Sequence, residues 1–293
     1  MKRTVAGTQT RLTARMFGHR SANFTMMLRA GQLFAFLAAV FLGLFVPVGS
    51  ADTAVKVTAP SNARPSSLLF VGNSYLYYNN SLHDHLLRMV KASGIHEEEA
   101  INIKSVTVND GRLHYHDIAA YLEPGRLGVA DSFQVVILQG HSASALSDPA
   151  RDRFSRTVSE FAREIAAAGA ETALYMTHAY VSPHPKHREG MIREVEELYV
   201  RVGNEVGALV IPVGLAFEES YRRRPELGLH MPYDGTHPSL LGTYLGAATV
   251  FASLYGQSPV GIPYDYFGRI DAETALYLQG VADSTVRRFY GLD

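Results

Sequence analysis

Ser67-Leu68-Leu69-Phe70-Val71-Gly72-Asn73-Ser74 is the stretch from which the architecture can be read. Its apolar run is nearly continuous, as in a strand covered on both faces; a half-exposed strand would alternate with polar residues. Gly72 permits a tight turn directly after the run. A helical pattern starts near Leu82, so the stretch is the first strand–turn–helix unit of an α/β protein. Four further strands are expected at 101–108, 134–138, 172–177 and 209–213. Helices are expected at 82–92, 148–168, 186–206, 239–255 and 272–289, with a shorter one at 113–121. The 148–168 segment shows the spacing clearly: Phe154, Val158, Phe161 and Ile165 recur every three or four residues, and Gly169 stands at the C-cap position. Strands alternating with helices of this length predict right-handed βαβ units and a five-stranded parallel sheet in a three-layer α/β/α sandwich.

The chain has 293 residues, 47% hydrophobic and 19% charged, the balance of a globular protein. The first 51 residues differ from the rest. They carry Lys2, Arg3, Arg11, Arg15, Arg20 and Arg29 and no acidic residue. An apolar run over 33–48 follows, then Gly49-Ser50-Ala51. A basic region, an apolar core and small residues make a secretory signal, with Met26 or Met27 as alternative starts. The apolar run is short for a membrane span, which takes about 20 residues. A cleaved signal and a secreted or periplasmic location are expected, with an uncleaved anchor as the alternative. Residues 52–65, with Pro60 and Pro65, read as a linker, and 66–293 as one catalytic domain.

Without the first 51 residues, 21 Lys and Arg face 28 Asp and Glu, a net charge of −7. That argues against a nucleic-acid partner, which would want a basic face. Membrane contact is expected only through the N-terminal segment if it stays attached. There are no cysteines, so disulfides, thiol nucleophiles and thiolate metal sites are excluded. The oligomeric state is not legible.

Two short motifs carry chemistry. Ser74 follows the first strand, at the carboxyl edge where open α/β sheets bind ligands. Asp234-Gly235-Thr236-His237-Pro238 lies just before the helix at 239–255. Within such a loop an Asp three residues before a His can accept from its Nδ1–H and leave Nε2 for a serine hydroxyl. Hydroxyl, base and orienting acid are the parts that acyl transfer needs. Each motif alone also fits a plain turn.

Together, 68–80 and Asp234-Gly235-Thr236-His237-Pro238 resemble the first and last blocks of the SGNH (GDSL-type) hydrolases. The resemblance runs from Ser67 to about Tyr255. It implies a flavodoxin-like fold, Ser74 as nucleophile, His237 as base, Asp234 as its partner, and no cofactor. It also implies oxyanion donors: the Ser74 N–H, the Gly111 N–H at the second-block position, and a third-block side chain. Two departures stand out. Asn73 replaces the usual Asp of the first block, with little effect expected on the chemistry. The third strand ends in Leu138-Gln139-Gly140-His141-Ser142, without the third-block Asn, so Gln139 is the candidate amide donor. Asn73, Tyr75, Tyr78, His141 and His178 are candidate substrate contacts.

Tyr75, Tyr77 and Tyr78 suit a sugar, although at least one of them is expected to cover the sheet edge instead. The run from His178 to His187 reads equally as a substrate loop or a solvated one. The close pairs His83/His85 and His114/His116 invite a metal, but none is expected: His83 and His85 fall on different sides of a predicted helix, and no His-Glu-x-x-His occurs. The expected function is an exported esterase acting on acyl, most simply acetyl, esters of small molecules or carbohydrates. Transfer to a sugar hydroxyl, or a non-catalytic carbohydrate-binding relative, are the alternatives.

Overall fold

The computed structural model describes residues 54–97 and 101–293. The expected signal segment lies outside the described residues. Five strands form one parallel sheet: β1 (Ser67–Gly72), β2 (Asn102–Thr107), β3 (Val135–Gln139), β4 (Glu171–Tyr175) and β5 (Leu209–Ile211). Their spatial order is β2-β1-β3-β4-β5, which is the flavodoxin-like winding. The order reverses at β1 and β3, so the loops after these two strands diverge and leave a crevice at their carboxyl ends.

Among the described residues, eight α-helices connect and cover the strands: α1 (Ser74–Tyr77), α2 (Leu82–Ser93), α3 (Ile118–Leu122), α4 (Asp148–Ala167), α5 (Met191–Val206), α6 (Val213–Arg223), α7 (Leu240–Tyr255) and α8 (Ala272–Tyr290). Alternation along each strand sends successive side chains to opposite faces. Leu68, Phe70, Ile137 and Tyr175 pack with α2, α7 and α8. Leu69, Val71, Val136 and Leu138 pack with Phe154 and Val158 of α4 and Leu198 of α5. Two cores on the two faces of one sheet make the three-layer sandwich.

Three expected elements differ. The 209–213 strand stops at Ile211, because Pro212 has no N–H for the ladder and Val213 already begins α6. The sequence reading had no helix there. The 113–121 helix is split: a 3₁₀ turn spans Leu113–Tyr115, and Asp117 then caps α3, its Oδ1 accepting from Ala120 N at 3.2 Å. The 186–206 helix starts only at Met191, after Gly190 in a left-handed conformation (φ 75°). Residues 186–190 are therefore loop.

The stretch read as a linker is laid against the domain from Ala54 onward. Lys56 N–H donates to Asn204 Oδ1 at 2.8 Å, Asn204 Nδ2 donates to Ala54 O at 2.9 Å, and Tyr255 Oη donates to Pro65 O at 3.0 Å. No helix among the described residues is long and apolar enough to cross a membrane.

Candidate active site

The loop after β1 begins with Gly72, whose place is dictated by a close approach: a Cβ there would stand 2.4 Å from Gln139 Oε1. Asn73 caps the short helix α1, its Oδ1 accepting from Tyr75 N at 3.2 Å. Its Nδ2 donates to Gly111 O at 3.0 Å, and its own N–H donates to Gln139 Oε1 at 2.8 Å. Asn73 thus ties together the loops after β1, β2 and β3. Ser74, the next residue, is 6% exposed.

His237 comes from the loop before α7. Its Nε2 stands 2.9 Å from Ser74 Oγ and its Nδ1 2.7 Å from Asp234 Oδ2. The carboxylate can only accept, so Nδ1 carries the proton and Nε2 is left to receive one from Ser74. Asp234 Oδ1 accepts from the amides of Thr236 (2.9 Å) and His237 (3.1 Å). Burial pushes the Asp234 carboxyl up, but these amides and the imidazole outweigh it and hold it below the ordinary carboxylate range. Ser74, Asp234 and His237 are thereby brought into one hydrogen-bonded line.

Thr236 fixes this loop from three directions. Its Oγ1 lies 2.6 Å from Tyr75 Oη, its O accepts from His178 Nε2 at 2.8 Å, and its N–H is spent on Asp234. Gly235 has φ 63°, and a Cβ on it would lie 2.2 Å from Val181 O, so only glycine lets the two loops touch. Asn79, which the sequence reading passed over, adds a strut from the nucleophile side. Its Nδ2 donates to Pro238 O at 2.9 Å and Thr243 Oγ1 at 2.8 Å. Its left-handed backbone (φ 53°) is one that Asn tolerates, and an Asn-Asn pair is a sequence signal for it.

A cavity of about 250 Å³ opens onto Ser74 and His237. Asn73, Tyr75 and His141 line it, as do Asp110, Ser142, Tyr180, His184 and Lys186. The half of the 178–187 loop that reaches the cavity is therefore Tyr180 and His184–Lys186. His141 accepts from Ala143 N–H on Nδ1 (3.0 Å) and so donates from Nε2 to Asp110 Oδ1 (3.0 Å). Tyr180 Oη donates to Ser142 Oγ at 2.8 Å.

Four sequence expectations need correction. The Gly111 N–H is spent on Val108 O at 2.9 Å and does not face Ser74. Gln139 is 1% exposed and committed to backbone: Oε1 accepts from Asn73 N–H, and Nε2 donates to Gly140 O. Neither residue lines the cavity. His178 is fully buried behind it, stacked between Tyr75 and Phe217 at 4.3 Å from each ring. Asn73 is more than a charge-free stand-in, because its Nδ2 is a donor that Asp lacks. Tyr78 stacks on the His237 ring at 4.2 Å. Of the histidine pairs, His85 bonds Asn79 O and Tyr264 Oη, and His116 bonds Gly72 O; both brace the nucleophile loop.

The sheet order, the serine after β1 and the Asp–His pair before α7 define an α/β protein with the SGNH-hydrolase fold. No family model matches the chain, and no curated protein does. Solved structures do. A DUF4886 family protein from Bacteroides uniformis superposes with a TM-score of 0.58 at 18% identity, over 75% of this chain and 93% of that one. A candidate GDSL-like lipase from Parabacteroides merdae gives 0.52 at 10% identity, over 67% and 99%. A candidate SGNH hydrolase from Slackia heliotrinireducens gives 0.51 at 20% identity, over 64% and 97%.

Proposed function

We propose that the protein is a serine esterase that moves a short acyl group from a polar alcohol to water. The observation that carries this reading is the line from Ser74 Oγ through His237 to Asp234, with its 2.9 and 2.7 Å contacts. Ser74 Oγ attacks the ester carbonyl as His237 Nε2 takes its proton. The bond to the alcohol oxygen breaks as His237 returns that proton to the leaving group. Water, deprotonated by His237, then releases the acid from the acyl-serine. Asp234 accepts from Nδ1–H throughout and stabilises the imidazolium.

With Gly111 and Gln139 committed elsewhere, two other donors suit the oxyanion. One is the Ser74 N–H. The second is the Ser142 hydroxyl: Tyr180 Oη fills one of its lone pairs, so its own proton is left to donate elsewhere.

The cavity lining supports the substrate class. It contains no Leu, Ile, Val, Phe or Met, so nothing there would welcome a long acyl chain. Hydroxyls, imidazoles and charged groups suit a small acyl group, most simply acetyl, on a sugar. The N-terminal sequence pattern supports an exported enzyme.

The test is turnover of p-nitrophenyl acetate by the wild type, Ser74→Ala and His237→Ala. Both variants should lose nearly all activity. Undiminished turnover in either one ends the reading.

A further inference from the structure

We infer that the substrate carries an oxyanionic group on its alcohol portion, held by Arg112 and Arg153 at the mouth of a niche adjoining the catalytic cavity. The inference deepens the esterase reading and rests on it for the position of the acyl group.

The niche lies between the loop after β2 and α4. Arg112, His114, His141, Ser144, Arg153 and Thr157 line it. His141 also lines the catalytic cavity, so the two spaces share a wall. Among the described residues neither guanidinium has an ion-pair partner, whereas Arg151, two residues before Arg153, is paired with Glu197. Both cations act on His114, whose pKa is lowered first by burial and then by Arg153 and Arg112. Arg112 is felt on the catalytic side too: burial raises the Tyr180 pKa most, the Ser142 hydrogen bond lowers it, the Asp110 charge raises it, and the Arg112 charge, the smallest of the four, lowers it.

Among the described residues, Asp110 is the one acidic residue lining either space, and its Oδ1 accepts from His141 Nε2 at 3.0 Å. Lys186 adds a cation to the lining of the catalytic cavity. Residues 52–293 carry a net −7, so this concentration of unpaired positive charge runs against the rest of the domain. Such a local reversal selects anions.

Guanidinium forks match the paired oxygens of a carboxylate or sulfate. The enclosed volume is about 10 Å³, no more than a single water needs, so the oxyanion lies across the mouth of the niche against the guanidinium edges and not inside it. The acyl group is seated at Ser74, which lines the catalytic cavity and not the niche, so the anion is assigned to the alcohol portion. An acylated acidic carbohydrate has that chemistry.

The test measures binding apart from catalysis. Wild type, Arg112→Gln, Arg153→Gln and the double variant are titrated calorimetrically with tetragalacturonate, a sulfated oligosaccharide of equal length, and neutral xylotetraose. The wild type should prefer the anionic ligands, and the tighter of the two identifies carboxylate or sulfate. Each single variant should lose about tenfold in affinity for that ligand. The preference should also shrink between about 0.05 and 0.5 M NaCl. Arg153→Lys, which keeps the charge without the fork, should fall between wild type and Arg153→Gln, and it stands in if a Gln variant fails to fold.

In turnover, the kcat/KM ratio for acetylated oligogalacturonide over acetylated xylo-oligosaccharide should fall by about tenfold or more in the double variant. Equal wild-type affinity for charged and neutral ligands, or an undiminished preference in the double variant, overturns the inference. Failure of the Ser74→Ala comparison would remove the esterase reading and leave the binding result standing.

Discussion

His178 Nε2 holds the carbonyl of Thr236 at 2.8 Å, one residue before His237. The segment after β4 thereby fixes the loop that carries the Asp–His pair. The imidazole is fully buried and stacked between Tyr75 and Phe217, and its Nδ1 has no partner. It is a positioning residue, and its truncation should loosen His237. His178→Ala is expected to lower kcat on p-nitrophenyl acetate by about 10–100-fold, as small misplacements of catalytic groups do. It should also destabilise the fold by about 2 kcal/mol or more through the cavity and the lost hydrogen bond. His178→Phe should restore most of the stability, read by urea unfolding, but not the rate. Wild-type kcat in His178→Ala would contradict the positioning role.

Two buried histidines should make the fold acid-labile. Burial first, then the neighbouring His230, holds the His178 pKa well below the ordinary imidazole value. Burial holds His230 at about 4. Its Nε2–H donates to Ala179 O at 3.0 Å, and its Nδ1 accepts from Tyr221 Oη at 2.8 Å, so it is held neutral. A depressed folded-state pKa contributes stability in full above the unfolded value, near 6.5. That stability is lost as pH falls through the folded value. The Tm should therefore be flat above about pH 6.5 and fall progressively toward pH 4. His230→Gln should flatten part of that slope, since Gln has no charge to gain. A Tm profile with the same slope in this variant would show that the titration lies elsewhere.

The sheet was legible because its signal is local. Val71 and Leu138 sit in apolar runs that only a doubly covered strand explains, and helices with a clear apolar face, such as α4, reveal themselves by spacing. The 234–238 motif was equally readable, since both partners lie within one loop. What the sequence could not state is where a group points. Gly111 and Gln139 occupy the expected stations, but one N–H turns back to Val108 and one amide turns to the backbone of Asn73 and Gly140. Helix α6 was hidden by Pro212-Val213-Gly214, which reads as the end of a strand. Ser142, Tyr180, Arg112 and Arg153 come from separate loops and a helix. Each is an ordinary residue until the fold brings it to one of two adjoining spaces.

Ser142 should matter to the rate more than to binding. Its hydroxyl accepts from Tyr180 Oη and has its own proton to give. If that proton meets the oxyanion, the bond exists only in the transition state and its loss appears in kcat. Ser142→Ala is expected to reduce kcat by about 10²-fold with little change in KM, within the span measured for single oxyanion donors. Tyr180→Phe, which removes the orienting donor and keeps the ring, should cost less. Steady-state kinetics on both variants separates these outcomes. A fall confined to KM would assign Ser142 to ground-state binding.

Asn73→Asp restores the acidic residue usual in the first block, yet it should weaken this protein. Asn73 Oδ1 accepts from Tyr75 N, and a carboxylate oxygen would do that equally well. Its Nδ2, however, donates to Gly111 O at 3.0 Å, and a second carboxylate oxygen would face that carbonyl, acceptor against acceptor. The site is 3% exposed, so water cannot readily intervene. The expected cost is about 1–3 kcal/mol. The carboxyl pKa should rise, because protonation restores a donor toward Gly111. As that raised value belongs to the folded state, Asn73→Asp should recover stability as pH falls below it, opposite in sign to the histidine effect. Asp110 and Arg112 flank Gly111, so catalysis should suffer together with stability. Denaturant midpoints at pH 7 and near pH 5 test this directly: a variant as stable as wild type at neutral pH would mean that the Gly111 contact contributes nothing.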